Sequence, residues 1–369
     1  MKKDNNYYID LAITLALKAK GKTLPNPMVG AVVVKNSKII AMGFHKAAGS
    51  PHAEVIALDE AGKHAEGAVL YVSLEPCTHF GRTPPCVNRI IKSKIKKVVI
   101  GTEDPNPVNS GKGIEILRKN GIIVECGFRH EALRKMNEVF IKYITKKIPF
   151  ITVKVAESMD GKIATHAGDS KWVTSDVSRM HANKMRQNFD AIMVGVNTVL
   201  RDDPLLTCRV PKPARKQPIK IIVDSHLSTP QNAKIFEDGG KVIIATLKSQ
   251  TGQETDNRTI LSEKATVLEV KERNGQVNLH DLMKKLAKME IANILVEGGG
   301  SLIGSLFDEE LADKVIFFIS PKIIGGRDAV GSVEGKGIRE LAKAPAIKDI
   351  SFKKIGSDFL IEGRVDYRK

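Results

Sequence analysis

Apolar and polar positions along the first half of the chain switch repeatedly between a helical period and a strand period. Residues 7–20, YYIDLAITLALKAK, carry apolar side chains at helical spacing and predict an amphipathic first helix. MVGAVVVKNSKIIAMGFH (28–45) has apolar runs on either side of KNSK and predicts a β-hairpin. Residues 53–61 predict a helix and 68–73 a strand. A helix begins near Pro85, followed by strand 97–102, helix 111–121, strand 122–125 and a helix from about His130 to Thr145. This alternation predicts a layered α/β unit. The pattern restarts after Lys-Lys-Ile-Pro at 146–149, which divides the chain into domains of 1–146 and 147–369. The second half predicts an opening strand within 146–165, helix 175–187, and strands 189–194, 219–224 and 241–246. Helix 278–288, strand 292–296, helix 300–308 and strand 313–319 follow, and an antiparallel pair spans 349–365. The polar stretch 247–263 is expected to be a surface loop. No repeat relates the two halves.

Composition narrows the class. At 369 residues and 42% hydrophobic, the chain suits two domains, each with its own core. Four cysteines do not make a disulfide scaffold and fit a reducing, cytoplasmic setting, where paired cysteines bind metal or do chemistry. Asp4 and Asp10 interrupt the lysine-led N-terminus, and no small-residue cleavage site follows, so it reads as a helix and not a targeting signal. No apolar run reaches the roughly 18 residues that a membrane span requires. The net charge is +16, but residues 1–145 hold 22 Lys and Arg against 13 Asp and Glu, and the remainder 36 against 29. An excess spread over both halves does not read as a nucleic-acid site, which concentrates charge on one element. It suits a phosphorylated small molecule, with no membrane partner.

The candidate chemistry begins at SLEPCTHFGRTPPC (73–86) and PHAEVIALDEAG (51–62). His52, Cys77 and Cys86 offer one imidazole and two thiolates, three ligands for one Zn²⁺ whose fourth position is left to water. Cys86 follows Pro85 at a helix start, where the helix dipole favours thiolate. Glu54 is too close to His52 to share its face at i, i+4 spacing and fits as the general base. Singly, each residue has a plain structural explanation, and Cys126 and Cys208 read as small core residues. Together, His-x-Glu followed by a strand and two Pro-Cys pairs is the signature of zinc nucleobase deaminases. The eight residues between the cysteines depart from the Pro-Cys-x-x-Cys of the tRNA and cytidine deaminases.

A narrower resemblance accounts for that departure. PNPMVGAVVV (25–34), PHAEVIAL (51–58), EPCTHFGRTPPC (75–86) and DPNPVNSGKG (104–113) occur in order. Together they resemble the deaminase half of the bacterial bifunctional riboflavin-biosynthesis family. The resemblance implies a cytidine-deaminase-like three-layer α/β/α domain. It also implies a pyrimidine and ribose-phosphate site lined by Asn26, His45, His79, Arg82, Asp104 and Asn106. Hydrogen bonding to a ring edge suits Asn and Asp, and His79 and Arg82 suit a phosphate. Asp104 and Asn106 in DPNP are also ordinary turn formers, and both readings stand. Family members also carry Lys at the position of Arg82.

In the second half, VEGGGSLIGSLF (296–307) joins a strand to a helix through three glycines, a plausible anion cradle at a helix N-terminus. It is not the G-x-G-x-x-G of a Rossmann fold. With KVAESMDGKIAT (154–165), GDSKWVTS (168–175) and VNTVLRDDPLLTCR (196–209), it resembles the reductase half of the same family. That resemblance implies a dihydrofolate-reductase-like α/β domain using NADPH. It places Ala156, Trp172, Thr198, Asp202, Ser225, Gly299, Gly300, Ser301, Leu302, Ile303, Gly304 and Ser305 toward the cofactor. Ser170, Arg186, Leu206, Arg209 and Glu297 fall toward the substrate. Arg186 and Arg209 are suited to the phosphate as bidentate donors, and Lys154 is a further candidate catalytic group. Trp172, the single tryptophan, is either a core aromatic or a surface for the nicotinamide; its polar neighbours favour the second.

The reading is a bifunctional enzyme of riboflavin synthesis. Its N-terminal domain removes an exocyclic amine from 2,5-diamino-6-ribosylamino-4(3H)-pyrimidinone 5′-phosphate. Its C-terminal domain then reduces the ribosyl chain to give 5-amino-6-ribitylaminouracil 5′-phosphate. A homo-oligomer, dimer or tetramer, is expected. The alternative is an RNA-base deaminase with an appended binding domain, for which the charge of +16 is the main argument.

Overall fold

The computed structural model describes residues 4–81, 83–210, 217–248 and 256–367. The chain divides into two compact units, Met1–Lys147 and Ile148–Lys369, each built on its own large sheet.

In the first unit, α1 (Asn5–Leu17) starts where Asp4 accepts a hydrogen bond from the Tyr7 amide at 2.9 Å. β1 (Gly30–Lys35) and β2 (Lys38–Phe44) form the expected hairpin, with Asn36 and Ser37 at positive φ as a tight two-residue turn requires. α2 (Ala53–Ala61), β3 (Val69–Leu74), α3 (Cys86–Lys92), β4 (Lys97–Thr102), α4 (Lys112–Lys119) and β5 (Ile123–Cys126) follow. The sheet order is β2-β1-β3-β4-β5, with β1 antiparallel to both neighbours and β3, β4 and β5 parallel. Strand side chains alternate between two cores. Ala31, Val33, Leu70, Val72, Val98 and Ile100 pack with Leu58, Ile90 and Leu117 from α2, α3 and α4. Val32, Val34, Tyr71 and Val99 pack with α1 and Leu133 on the other face. Three layers result. The single helix expected over His130–Thr145 is instead α5 (His130–Met136) and α6 (Glu138–Lys146). Asn137 breaks it: its amide accepts from the Met28 N–H (2.9 Å) and donates to the Met28 carbonyl (3.0 Å), tying the chain to the start of β1.

The second unit runs β6 (Phe150–Ser158), α7 (Asp176–Met185), β7 (Ala191–Gly195), α8 (Val196–Asp202), β8 (Ile219–Val223) and β9 (Val242–Leu247). It continues with α9 (Asp256–Lys264), β10 (Thr266–Val270), the short pair β11 (Glu272–Arg273) and β12 (Gln276–Val277), and α10 (Leu279–Lys288). β13 (Asn293–Glu297), α11 (Gly300–Asp308), β14 (Lys314–Ser320), β15 (Ala346–Ile355) and β16 (Asp358–Asp366) complete it. Nine strands form one sheet, β10-β9-β8-β7-β13-β6-β14-β16-β15, parallel except where β16 pairs with β14 and β15. One face carries Leu282 and Leu286 of α10 and Leu302 and Ile303 of α11; the other carries Val199 of α8 and Leu261 of α9. Part of the stretch expected as a surface loop, 247–263, is therefore helix. Leu261, fully buried, anchors α9 on the sheet, and one inward side chain in a polar segment is too weak a pattern to signal it. The rest of that stretch, 249–255, lies outside the described residues. Helix α8 and strands β10–β12 were not anticipated. No helix among the described residues is long and apolar enough to cross a membrane.

Candidate active sites

In the first unit, His52 is the residue immediately before α2 and Cys86 is the first residue of α3, while Cys77 lies in the loop between β3 and α3. Their ligand atoms all lie within 4.8 Å of one another. His52 Nδ1 is 3.1 Å from Cys86 Sγ and 3.5 Å from Cys77 Sγ, and the Cys86 amide donates to Cys77 Sγ at 3.3 Å. His52 Nε2 meets Thr83 Oγ1 at 3.2 Å, so Nδ1 is the nitrogen presented to the sulfurs. The Cys86 thiol hydrogen-bonds to Cys77 and, with His52, holds the Cys77 thiol well below its ordinary range; the same contact and burial push Cys86 up. One imidazole nitrogen and two sulfurs converging from three segments fit a zinc ion, and no fourth protein ligand joins them among the described residues. Glu54, in the first turn of α2, is 3% exposed. Burial, with the charge of Cys77 added, pushes its carboxyl up to about 7.

Around this centre, His45 is buried, its Nδ1 3.2 Å from the Pro51 carbonyl and its Nε2 3.2 Å from Asn26 Nδ2. Because the carbonyl only accepts, Nδ1 carries the proton and Nε2 accepts from Asn26. Burial lowers the pKa of His45 and keeps it neutral. His79 is exposed; Arg82 lies outside the described residues. Asp104 is buried, which pushes its carboxyl up to about 6, and it already accepts from the Asn106 amide (2.9 Å) and Asn109 Nδ2 (3.1 Å). Asp104 and Asn106 are thus turn-forming residues in their geometry. Thr83, Glu75 and Asn109 touch the site's residues but carry no assigned role in the sequence pattern, although all three lie within EPCTHFGRTPPC and DPNPVNSGKG.

In the second unit, the residues expected to matter gather where the parallel strands end, the usual ligand edge of such a sheet. Glu297 closes β13, Thr198 and Asp202 lie on α8 just after β7, and Ser225 follows β8. Lys154 and Ala156 lie on β6, with Lys154 in register with Glu297. Glu297 is 8% exposed and is gripped by Arg186, with Nε at 2.8 Å and Nη2 at 3.0 Å, while Arg186 Nη1 donates to the Thr207 carbonyl at 2.7 Å. Lys154 Nζ stands 3.7 Å from Glu297. Burial would raise the Glu297 carboxyl, but Arg186 and Lys154 outweigh it and hold it down to about 2. The guanidinium fork is therefore engaged on Glu297 and the chain itself. Arg209 is exposed, Leu206 is buried and Ser170 is half-buried.

Glu297 carries a stability prediction. Its folded value is depressed, so its contribution of about 3 kcal/mol is present above the ordinary value of 4.5 and is lost as pH falls toward 2. Glu297→Gln should be less stable than wild type at pH 7, and urea unfolding should find the gap closing between about pH 4.5 and 2. A gap that does not change with pH would refute the pairing.

The glycine-rich turn has a divided role. Gly299 faces Thr198, with room for a Cβ 3.7 Å from Thr198 Oγ1, and no side chain caps the first N–H groups of α11. Those uncapped donors fit an anionic cofactor group. Gly300 and Gly304 serve packing instead: a Cβ on either would collide with backbone of the segment 331–335. Leu302 and Ile303 point into the core, Gly304 is buried, and Ser301 is exposed. Trp172 is 61% exposed, with the Arg179 guanidinium 4.3 Å from its ring centroid and its carbonyl accepting from Lys322 Nζ at 2.7 Å. It is not a core aromatic.

Residues 149–361 match the RibD C-terminal domain family, and residues 2–102 match the cytidine and deoxycytidylate deaminase zinc-binding region. The riboflavin biosynthesis protein RibD of Aquifex aeolicus (strain VF5) is 46% identical over 361 residues, covering 97% of each chain. The solved structure of Acinetobacter baumannii RibD, form 1, is 34% identical, with a TM-score of 0.87 and 99% of each chain covered. A Thermotoga maritima diaminohydroxyphosphoribosylaminopyrimidine deaminase/5-amino-6-(5-phosphoribosylamino)uracil reductase is 39% identical, with a TM-score of 0.82 over 98% of each chain. With a deaminase zinc-binding region in the first unit, a reductase domain in the second and similarity along nearly the whole chain, this protein belongs to the RibD family of riboflavin biosynthesis proteins.

Proposed function

We propose that residues 1–146 deaminate a diaminopyrimidinone bearing a ribosyl 5′-phosphate and that residues 147–369 reduce its ribosyl chain. The observation that carries the first half is the convergence of His52, Cys77 and Cys86 beside buried Glu54. His52, Cys77 and Cys86 would hold zinc, which when bound supplies a water of lowered pKa as nucleophile. Glu54, buried in the first turn of α2, is assigned as the group that takes a proton from the water and returns it to the departing amine, so that ammonia leaves. Asn26 and His45 form one hydrogen-bonding wall, and loop residues 104–106 another. His79 and Arg82 are assigned to the phosphate.

In the second half, NADPH when bound supplies hydride, and the protein supplies orientation and electrostatics. The uncapped amides at Gly299–Ser301, with Thr198, Asp202, Ser225 and Trp172, are assigned to the cofactor. Glu297 and Lys154, held as a buried charged pair, are assigned to the sugar. Arg186 fixes Glu297, which leaves exposed Arg209 as the phosphate donor. Truncating one partner of such a buried pair typically costs about 3–5 kcal/mol, so Arg186→Ala should destabilise strongly. Arg209→Ala should instead raise KM for the phosphorylated substrate with normal folding and NADPH affinity. Thermal unfolding and steady-state kinetics separate the two outcomes. A reducing, cytoplasmic setting is inferred because it suits thiolate ligands, and a homo-oligomer is inferred from the frequency of such assemblies among compact α/β enzymes.

The direct experiment supplies the diaminopyrimidinone phosphate with and without NADPH and follows ammonia and NADPH separately. Ammonia release should not need NADPH. The two activities should also survive separation. A 1–146 fragment should release ammonia, and a 147–369 fragment should oxidise NADPH only with a ribosylaminopyrimidine phosphate and without zinc. Two folded fragments, each inactive until mixed, would show that the sites are shared.

A further inference from the structure

We propose that Glu75 and Asn109 are positioning residues that lock the substrate loop 104–113 to the metal loop at Cys77 and Thr78. The inference rests on the deaminase reading of this site. Glu75 follows β3 directly and stands two residues before Cys77. It is 3% exposed, and its carboxylate accepts four main-chain N–H groups from residues 29 to 39 positions further along the chain. Oε2 takes the amides of Asp104 and Gly111, both at 3.0 Å, and Oε1 takes those of Gly113 (2.8 Å) and Ile114 (3.3 Å). A carboxylate with two oxygens and about four lone-pair sites is thereby saturated. The donors include the first turn of α4, where negative charge is favoured. The glycines of SGKG exist for this contact. Gly111 turns at φ 76°, and a Cβ at Gly113 would collide with the Pro76 carbonyl and press on Glu75 itself.

Asn109 completes the lock from the other side. It is fully buried, and its Oδ1 accepts both the Thr78 amide and the Thr78 hydroxyl at 2.8 Å. Its Nδ2 donates to Asp104 Oδ2 at 3.1 Å. The Thr78 N–H can only donate, which fixes the orientation of the amide. Glu75 thus holds the backbone of Asp104, Asp104 holds Asn109, and Asn109 holds the residue adjoining Cys77. A ligand set on one loop and a ring-binding wall on the other have to keep a fixed separation if the amine-bearing carbon is to meet the nucleophile, and this ring of bonds sets it. Neither residue touches the reacting atoms in this role.

The test uses the full-length, zinc-loaded chain. Glu75→Gln and Asn109→Ala should keep about one zinc per chain, and NADPH oxidation with the deaminated intermediate should be unchanged. KM for the diaminopyrimidinone phosphate should rise roughly 10- to 100-fold, the usual range for groups that orient a site from behind. Glu75→Asp, which keeps both oxygens, should recover part of the loss. Hydrogen exchange should show the Thr78 amide and those of 104–114 opening as one unit in wild type and losing protection in both loops in each variant. A lower Tm with unchanged KM and kcat per zinc-loaded site would reduce both residues to stabilisers and overturn the proposal. Loss of zinc with KM intact would overturn it as well. If the wild type releases no ammonia, the deaminase reading falls; the exchange measurement still decides the coupling, and independent opening of the two loops refutes it.

Discussion

Cys86→Ser, and equally Cys77→Ser, should reduce zinc from about one per chain to a small residue and abolish ammonia release, while NADPH oxidation with the deaminated intermediate continues. The three ligand atoms lie within 4.8 Å of one another, and no fourth protein ligand joins them among the described residues, so removal of one sulfur leaves two donors. A serine hydroxyl stays protonated near neutral pH and does not replace a thiolate. Cys86 is fully buried at the start of α3, and serine there also leaves a polar group facing the site. A chelator applied to wild type should reproduce the split, stopping ammonia release and sparing NADPH oxidation. Metal analysis with separate assays of the two activities checks this. Full zinc and full ammonia release in either variant would remove that cysteine from the ligand set.

Glu54→Gln should keep its zinc and its fold but release ammonia at least about 10²-fold more slowly, the usual contribution of a positioned acid–base group. Glutamine matches the shape of the side chain in a pocket that leaves 3% of it exposed, so packing is preserved. What is lost is the capacity to hold and release a proton. Burial raises the carboxyl above its ordinary range, which favours a group that can return a proton as well as take one. Circular dichroism and metal content confirm that the variant is comparable; initial rates of ammonia release decide. A rate within a few-fold of wild type would mean that another group carries the proton.

The convergence of His52, Cys77 and Cys86 was legible because the pattern that carries it is local. His52 and Glu54 lie in one short motif and Cys77 and Cys86 in another. Alternating apolar residues likewise announced most strands: the assignment of Val32 and Val33 to opposite cores follows from strand period alone. The hairpin needed only its turn, whereas α1, expected over 7–20, runs Asn5–Leu17 because the Asp4 side chain caps it earlier. That Trp172 is not a core aromatic was readable from its polar neighbours.

Other features depended on partners distant in sequence. Arg186 reads equally well as a free phosphate clamp or as an occupied one, and only the arrival of Glu297, 111 residues later, decides. The break at Asn137 depends on Met28, the helix α9 on one buried leucine, and the packing of Gly300 and Gly304 on the segment 331–335. Glu75 reads as a motif residue with no stated task until Asp104, Gly111 and the first turn of α4 together turn four N–H groups toward it. By itself the sequence determined the candidate ligand set, the two-domain division of its pattern and the alternation of the sheets, because local spacing and side-chain chemistry suffice for these. Tertiary structure alone decided which charges are already paired, which glycines make room for backbone and which loops hold one another, because a buried polar group takes its role from whichever donor or acceptor packing brings to it.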